Sequence, residues 1–145
     1  MFKHILIPTD GSELSKMAVI KAVQFAKEIN AKVTGLTVTV PYHYFAVDAI
    51  QLVDTPEQYA IDVKVMAEKN LNVIKEEAIK AGVIFDLIYR SNEHPYEEIV
   101  KTAQDFMCDV IFLASHGRRG MSGFLLGSET QKVLTHSKIP VVVYR

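Results

Sequence analysis

Four of the seven glycines in this sequence, Gly117, Gly120, Gly123 and Gly127, fall within eleven residues. The segment runs Ala114-Ser115-His116-Gly117-Arg118-Arg119-Gly120 and ends Leu126-Gly127-Ser128. Glycines set this closely let main-chain N–H groups approach an oxyanion, and a helix opening at Ser128 adds partial positive charge. Arg118 and Arg119 supply full charges where a phosphate would sit. Ser128 either caps that helix or donates to a phosphate oxygen. A phosphate cradle is the chemistry this pattern favours. The competing reading is a surface loop whose two arginines are merely solvated.

A second candidate lies near the start, in Pro8-Thr9-Asp10-Gly11-Ser12. The Asp10 carboxylate can accept hydrogen bonds from ribose hydroxyls, the role acids play in nucleotide-binding folds. Asp-Gly-Ser is equally an ordinary turn and helix-cap sequence. Position argues for binding, because both segments follow predicted strands and would emerge at the same edge of a sheet.

Other chemistries fail on spacing. No Gly-Lys-Ser/Thr is present, so the glycines are not a lysine-bearing phosphate loop. A dinucleotide fingerprint would follow the first strand, whereas these glycines follow the fourth. A phospho-acceptor domain wants paired acids after the first strand and another after the third; here stand Asp10 alone and Ser91-Asn92. The five histidines, at 4, 43, 94, 116 and 136, show no ligand spacing. His94 before Pro95 reads as structural, and His116 as a ring that orients the glycine loop. No Ser–His–acid set converges, and no residue offers itself as general base or catalytic lysine. Cys108 is the single cysteine, which excludes an intrachain disulfide and reads as a small buried filler.

The elements that must position these groups alternate. Five short apolar runs, at residues 4–9, 32–40, 83–89, 109–115 and 140–144, read as strands. Ile5-Leu6-Ile7, the run from Val110 to Ala114 and Val141-Val142-Val143 are apolar throughout, the habit of parallel strands covered on both faces. Helical periodicity fills residues 12–29, 58–81, 95–106 and 128–136. The first places Leu14, Ala18, Ala22, Phe25 and Ile29 on one stripe; the second places Ile61, Val65, Glu68, Leu71, Ile74, Ala78 and Ala81 there. Thr55-Pro56 supplies a cap and a first-turn proline, and Gly82 a stop. Such alternation predicts right-handed crossovers and an α/β fold, an open parallel sheet with helices on both faces. Residues 41–53 are too long for a tight connection. Their Tyr42, His43, Tyr44 and Phe45 either line a pocket or pack among themselves.

The 145 residues suit one domain, 1–145, able to bury its own core. Sixteen basic against seventeen acidic side chains leave a net charge of −1, without the field expected of a nucleic-acid or anionic-membrane binder. No run reaches the roughly 18 apolar residues of a membrane span. The opening apolar run stops at Pro8, too early for a secretory signal, so the expected location is cytoplasmic.

The stretch from Ser115 to Gly120, the stretch Leu125-Leu126-Gly127-Ser128-Glu129-Thr130-Gln131-Lys132-Val133-Leu134 and the opening Ile5-Leu6-Ile7-Pro8-Thr9-Asp10-Gly11-Ser12 together resemble the universal stress protein family. The likeness runs from Lys3 to Tyr144. Its nucleotide-binding pattern, Gly-x2-Gly-x9-Gly-Ser/Thr, is met by Gly117, Gly127 and Ser128, with Ala114 replacing the first glycine. A left-handed backbone there would strain alanine by about 1–2 kcal/mol, while a need only for a small side chain would not.

That resemblance implies a Rossmann-like fold of the adenine nucleotide alpha-hydrolase type, with strand order 3-2-1-4-5. It implies ATP or AMP as ligand, Mg²⁺ through the phosphates, and a homodimer through Val141–Tyr144. An apolar edge strand suits such pairing, although Tyr144 and Arg145 could simply blunt it. By resemblance, Pro8, Thr9, Asp10 and Val38 hold adenine and ribose. The phosphates lie along Ala114, Ser115, His116, Gly117, Arg118 and Gly120 and on Gly127, Ser128, Glu129 and Thr130. The implied function is a stress-response nucleotide switch with, at most, weak ATPase activity. The alternatives are a dimeric interaction protein without nucleotide and a weak hydrolase.

Overall fold

Ile5, Leu6 and Ile7 are wholly buried, so β1 (His4–Pro8) must be covered on both faces and flanked on both sides. In the computed structural model, which describes residues 1–42, 55–118 and 125–145, it is. β1 pairs with β2 (Lys32–Thr39) on one side and β4 (Val110–Ala114) on the other. β3 (Phe85–Ser91) lies outside β2, and β5 (Val141–Tyr144) outside β4. All pairings are parallel, in the order β3-β2-β1-β4-β5. The α/β class and strand order are those the sequence and the resemblance implied.

α1 (Glu13–Glu28) and α2 (Pro56–Ala81) cover one face, over a core built on Ile5, Ile7, Val33, Ile74 and Phe112. α3 (Pro95–Asp105) and α4 (Ser128–His136) cover the other, over Leu6, Leu36, Ile99, Ile111 and Val133. Gly35 has a packing reason: a Cβ there would come within 2.7 Å of Ile74 and 2.8 Å of Leu87, so α2 lies directly on β2. Two helix starts are capped by side chains, with Ser12 accepting from the Ser15 N–H and Thr55 from the Gln58 N–H.

Two expectations about packing need correction. The third strand begins at Phe85 and runs to Ser91, two residues later at each end than its apolar run. Val83 belongs to the helix exit, because its N–H bonds to Ala78 O. The α2 stripe fails over its first half, where Ile61 and Val65 are 57% and 60% exposed; burial starts at Ala67. The amino half of α2 therefore extends past the sheet. Tyr59 reaches Val40 O from it and meets the Tyr42 ring at a tilt of 60°, while His43, Tyr44 and Phe45 lie outside the described residues.

α1, α2 and α3 end alike. Asn30, Gly82 and Met107 take left-handed backbone, and the next N–H bonds five residues back, Ala31 to Ala26, Val83 to Ala78 and Cys108 to Ala103. Only at Gly82 is that conformation free of side-chain strain.

Beneath the amino ends of the strands, His4 Nε2 lies 2.7 Å from Thr34 Oγ1. Burial lowers the His4 pKa, nearby Lys32 lowers it further, and Asp109 opposes both. Cys108 beside it is 4% exposed, and burial, then Asp109, push its thiol up to about 12. It is an inert filler, as expected.

Met107→Gly relieves the exposed left-handed methionine, with an expected gain of about 0.5–1 kcal/mol and a melting temperature higher by roughly 2–4 °C. Chemical and thermal denaturation read both. Because folded His4 binds its proton less readily than in the unfolded chain, its neutral form supports stability above the ordinary value of 6.5, and that support is lost as pH falls below it. Melting temperatures followed from pH 7.5 to 5 should fall less in His4→Gln than in the parent.

Candidate functional site

β1 and β4 lie side by side, yet the chain leaves β1 towards the α1–α2 face and β4 towards the α3–α4 face. A crevice at the carboxyl ends of the strands follows from such divergence. Into it come the two segments singled out above. The Asp10 carboxylate bridges them: Oδ1 accepts from the Ser12 N–H at 3.0 Å, and Oδ2 accepts from the Arg118 N–H at 2.8 Å. Asp10 thus acts as a turn residue and as a cross-link to the glycine loop. Gly117 is required by approach, since a Cβ there would collide with Asp10 Oδ2. One main-chain amide of the cradle is accordingly filled by the protein's own carboxylate.

The other end of the glycine loop closes on the same place. The Gly127 N–H bonds to Ser115 O at 2.8 Å, and a Cβ on Gly127 would sit 3.1 Å from His116 Cα. Gly127 is the N-cap of α4 and, being a glycine, gives the helix no side-chain cap. Ser128 is therefore the first helical residue, exposed, and not the cap. Among the described residues no side chain bonds the first amides of α4 or the Ser128 hydroxyl, groups that suit an anion.

Several predicted residues are committed to scaffolding. Thr9 Oγ1 accepts from the Gly11 N–H and the Ser15 hydroxyl, while Thr9 O accepts from Thr37. Thr130 Oγ1 donates to Ala114 O, pinning α4 to the end of β4. Ser115 is buried, with its N–H on Tyr144 O and its hydroxyl 3.1 Å from His116 Nδ1, so His116 is oriented by its neighbour. Glu129 faces away from the crevice. It accepts from the Tyr96 N–H at 3.0 Å, capping α3, whose own N-cap His94 makes no such bond, and it pairs with Lys132 at 3.1 Å. Ala114 belongs to β4 and is not among the residues with positive φ, so it carries no backbone strain. Pro8 and Val38 are half-buried on the α3–α4 side, with Val38 packed on the Leu6–Leu36 core. Gly120, Arg119 and Gly123 lie outside the described residues.

Asn70 was missed. It is 5% exposed on α2, and a Cβ on Gly11 would overlap its amide oxygen. The Arg118 guanidinium comes within 3.0 Å of the same point. The signal was available: Asn70 stands three after Ala67 and four before Ile74, a lone amide on the inward stripe.

An open parallel sheet whose winding reverses between β1 and β4 is the plan of the Rossmann-like α/β folds. The sequence model of the Universal stress protein family matches residues 1–145, and the chain belongs to that family. It is 32% identical to the universal stress protein MJ0577 of Methanocaldococcus jannaschii, over 100% of this chain and 96% of that one. The solved structure of MJ0577 superimposes with a TM-score of 0.82, at 31% identity, covering 99% of this chain and 95% of that chain. A universal stress protein solved in complex with cAMP shares the fold at TM-score 0.75 and 22% identity, over 99% and 97% of the two chains. One from Archaeoglobus fulgidus, in complex with dAMP, does so at 0.65 and 16%, over 100% and 98%.

Gly117→Ala must push Asp10 off the Arg118 amide. The expected loss is about 1–2 kcal/mol in denaturant unfolding, with faster hydrogen exchange at the Arg118 N–H; unchanged exchange would contradict the cross-link.

Proposed function

We infer that this protein binds an adenine nucleotide, ATP or AMP, at the carboxyl edge of the sheet and serves as a stress-response switch. The observation that supports it most is convergence. Asp10 and Gly117–Arg118, more than a hundred residues apart in sequence, meet near the start of α4, whose N-cap is a glycine without a side chain to cap it. Two structural neighbours carry cAMP and dAMP. In this reading Pro8 and Val38 pack on the base, and Asp10 turns from the Arg118 amide to the ribose hydroxyls. Gly127, Ser128 and the main-chain N–H groups of Glu129 and Thr130 receive phosphate, while His116, Gly117 and Arg118 border it.

Mg²⁺ would be held through the phosphates, since no three His, Cys, Asp or Glu gather into a metal site among the described residues. No residue is assigned to hydrolysis. Val141–Tyr144, half-buried along its length at the sheet edge, is the surface for a homodimer. No helix among the described residues is long and apolar enough to cross a membrane, and the cytoplasm is the proposed location.

A second reading, an interaction protein that needs no nucleotide, draws on one observation: Asp10 already fills an amide of the cradle. Two measurements separate them. Heat-denatured purified protein should release an adenine nucleotide detectable by mass spectrometry. Asp10→Ala should weaken ATP and AMP binding by about tenfold, the value of a hydrogen bond to a charged group. Unchanged or tighter affinity favours the second reading.

A further inference from the structure

β3 ends the sheet on the side opposite β5, and its ladder shows which of its main-chain groups the sheet uses. The Val33 N–H bonds to Ile84 O, and the Asn92 N–H to Thr39 O. With Val33 in register beside Phe85, these bonds turn the N–H and C=O of Asp86, Ile88 and Arg90 towards β2. The N–H and C=O of Phe85, Leu87, Tyr89 and Ser91 therefore point out of the sheet, and among the described residues nothing bonds them. Tyr89 is 41% exposed, and Ile84, just before the strand, 76%, so the helices leave this edge open.

An open edge is a template for another strand, and charged side chains are the usual defence against one. β3 carries two charges, but their placement reverses the defence. Asp86 and Arg90, opposite in sign, stand two residues to either side of Ile88. An antiparallel copy related by a two-fold axis at Ile88 sets Asp86 beside the partner's Arg90 and Leu87 beside the partner's Tyr89. The outward-pointing residues then meet one another: Leu87 and the partner's Tyr89 exchange both main-chain hydrogen bonds, as do Phe85 and the partner's Ser91. Asp86, Ile88 and Arg90 fall at the non-bonded pairs, where facing side chains come closest. Slipping this register by one residue sets outward-pointing groups against inward-pointing ones, and slipping it by two leaves each charge opposite a neutral residue. Asp86 is exposed and, among the described residues, has no hydrogen bond or ion pair. Arg90 gives Nη1 to Glu98, Thr102 and Asp105, while nothing described bonds its Nε or Nη2, donors enough for a further carboxylate.

We propose that β3 is a self-pairing edge: two copies of this chain join antiparallel through Phe85–Ser91, two-fold about Ile88, into one continuous sheet. A second copy is the occupant that fits, because its strand, run backwards, brings an arginine to Asp86 and an aspartate to Arg90. This edge lies across the sheet from Val141–Tyr144, the surface proposed above for a homodimer, and stands independently of it and of nucleotide binding. A chain that pairs at both edges assembles past the dimer, since each two-fold interface leaves the other edge free.

The test is oxidation of Ile88→Cys, which puts one sulfur from each copy at the two-fold axis, in a close pair that a disulfide can bridge. Native Cys108 does not compete, since it is 4% exposed and burial pushes its thiol up to about 12. Ile84→Cys is the control, at a more exposed position but roughly 27 Å from its own mate in this register. In oxidised glutathione, Ile88→Cys should form the linked dimer at least about tenfold faster than Ile84→Cys. Adding Asp86→Lys, which turns two attractions into two repulsions, should slow linking by about tenfold. Adding Tyr89→Pro, which removes an outward donor and leaves the bonds to β2 whole, should slow it further. Melting curves identify a variant that fails to fold; should Tyr89→Pro be one, Asp86→Lys, at an exposed position, decides. Without any cysteine variant, the parent should sediment as a heavier species than Asp86→Lys at equal concentration. Equal linking by the two cysteine variants, linking indifferent to Asp86→Lys, or a parent no heavier than Asp86→Lys across a concentration series would overturn the proposal.

Discussion

The divergence of the chain on either side of β1 governs the carboxyl edge. β1 and β4 are neighbours in register, Ile5 beside Val110 and Leu6 beside Ile111, but the helices that follow them leave on opposite faces. Had both crossed to the same side, one helix would cover the strand ends and Asp10 would be shut off from the glycine loop. Divergence instead leaves the strand tips open and forces two remote segments to meet there. The 2.8 Å bond from Arg118 N–H to Asp10 is the result. The wholly buried Ile5-Leu6-Ile7 triplet makes this arrangement stable, since only a central strand roofed twice can hide three large aliphatics in succession.

Around that edge the side chains divide by task. Thr9, Ser115, Thr130 and Glu129 use their polar atoms to fix strand ends and helix starts. Asp10, Arg118, Ser128 and Asn70 keep theirs at the crevice. Neighbours in sequence thus differ in role because successive residues of a tight turn point in different directions. The glycines follow the same logic. Gly117 and Gly127 are needed for close approach, whereas Gly11 alone of the three has left-handed backbone. Alanine at 114, at the end of a strand, meets neither demand and is tolerated.

Much of this could be read in the sequence, and for identifiable reasons. Continuous aliphatic runs marked the buried strands, capping residues and prolines marked the helix starts, and the clustered glycines with Asp10 marked the site. What escaped depended on tertiary distance. Ile61 and Val65 repeat at helical spacing, but the sheet beneath them ends before it reaches them. Glu129 sits in the segment the family pattern gives to phosphate, and only the nearness of α3 shows its carboxylate capping Tyr96. Asn70 was passed over because a polar residue on an apolar stripe has meaning only once its facing group, the bare α-carbon of Gly11, is known.

The overhang of α2 has a thermodynamic corollary. Its carboxyl half is welded to the sheet through Ala67, Leu71, Ile74 and Ala78, while in its amino half, among the described residues, Tyr59 alone ties back to β2's exit by a side-chain hydrogen bond, to Val40 O. Melting that outer portion exposes little apolar area and so demands far less work than global unfolding. One rod thereby carries two stabilities.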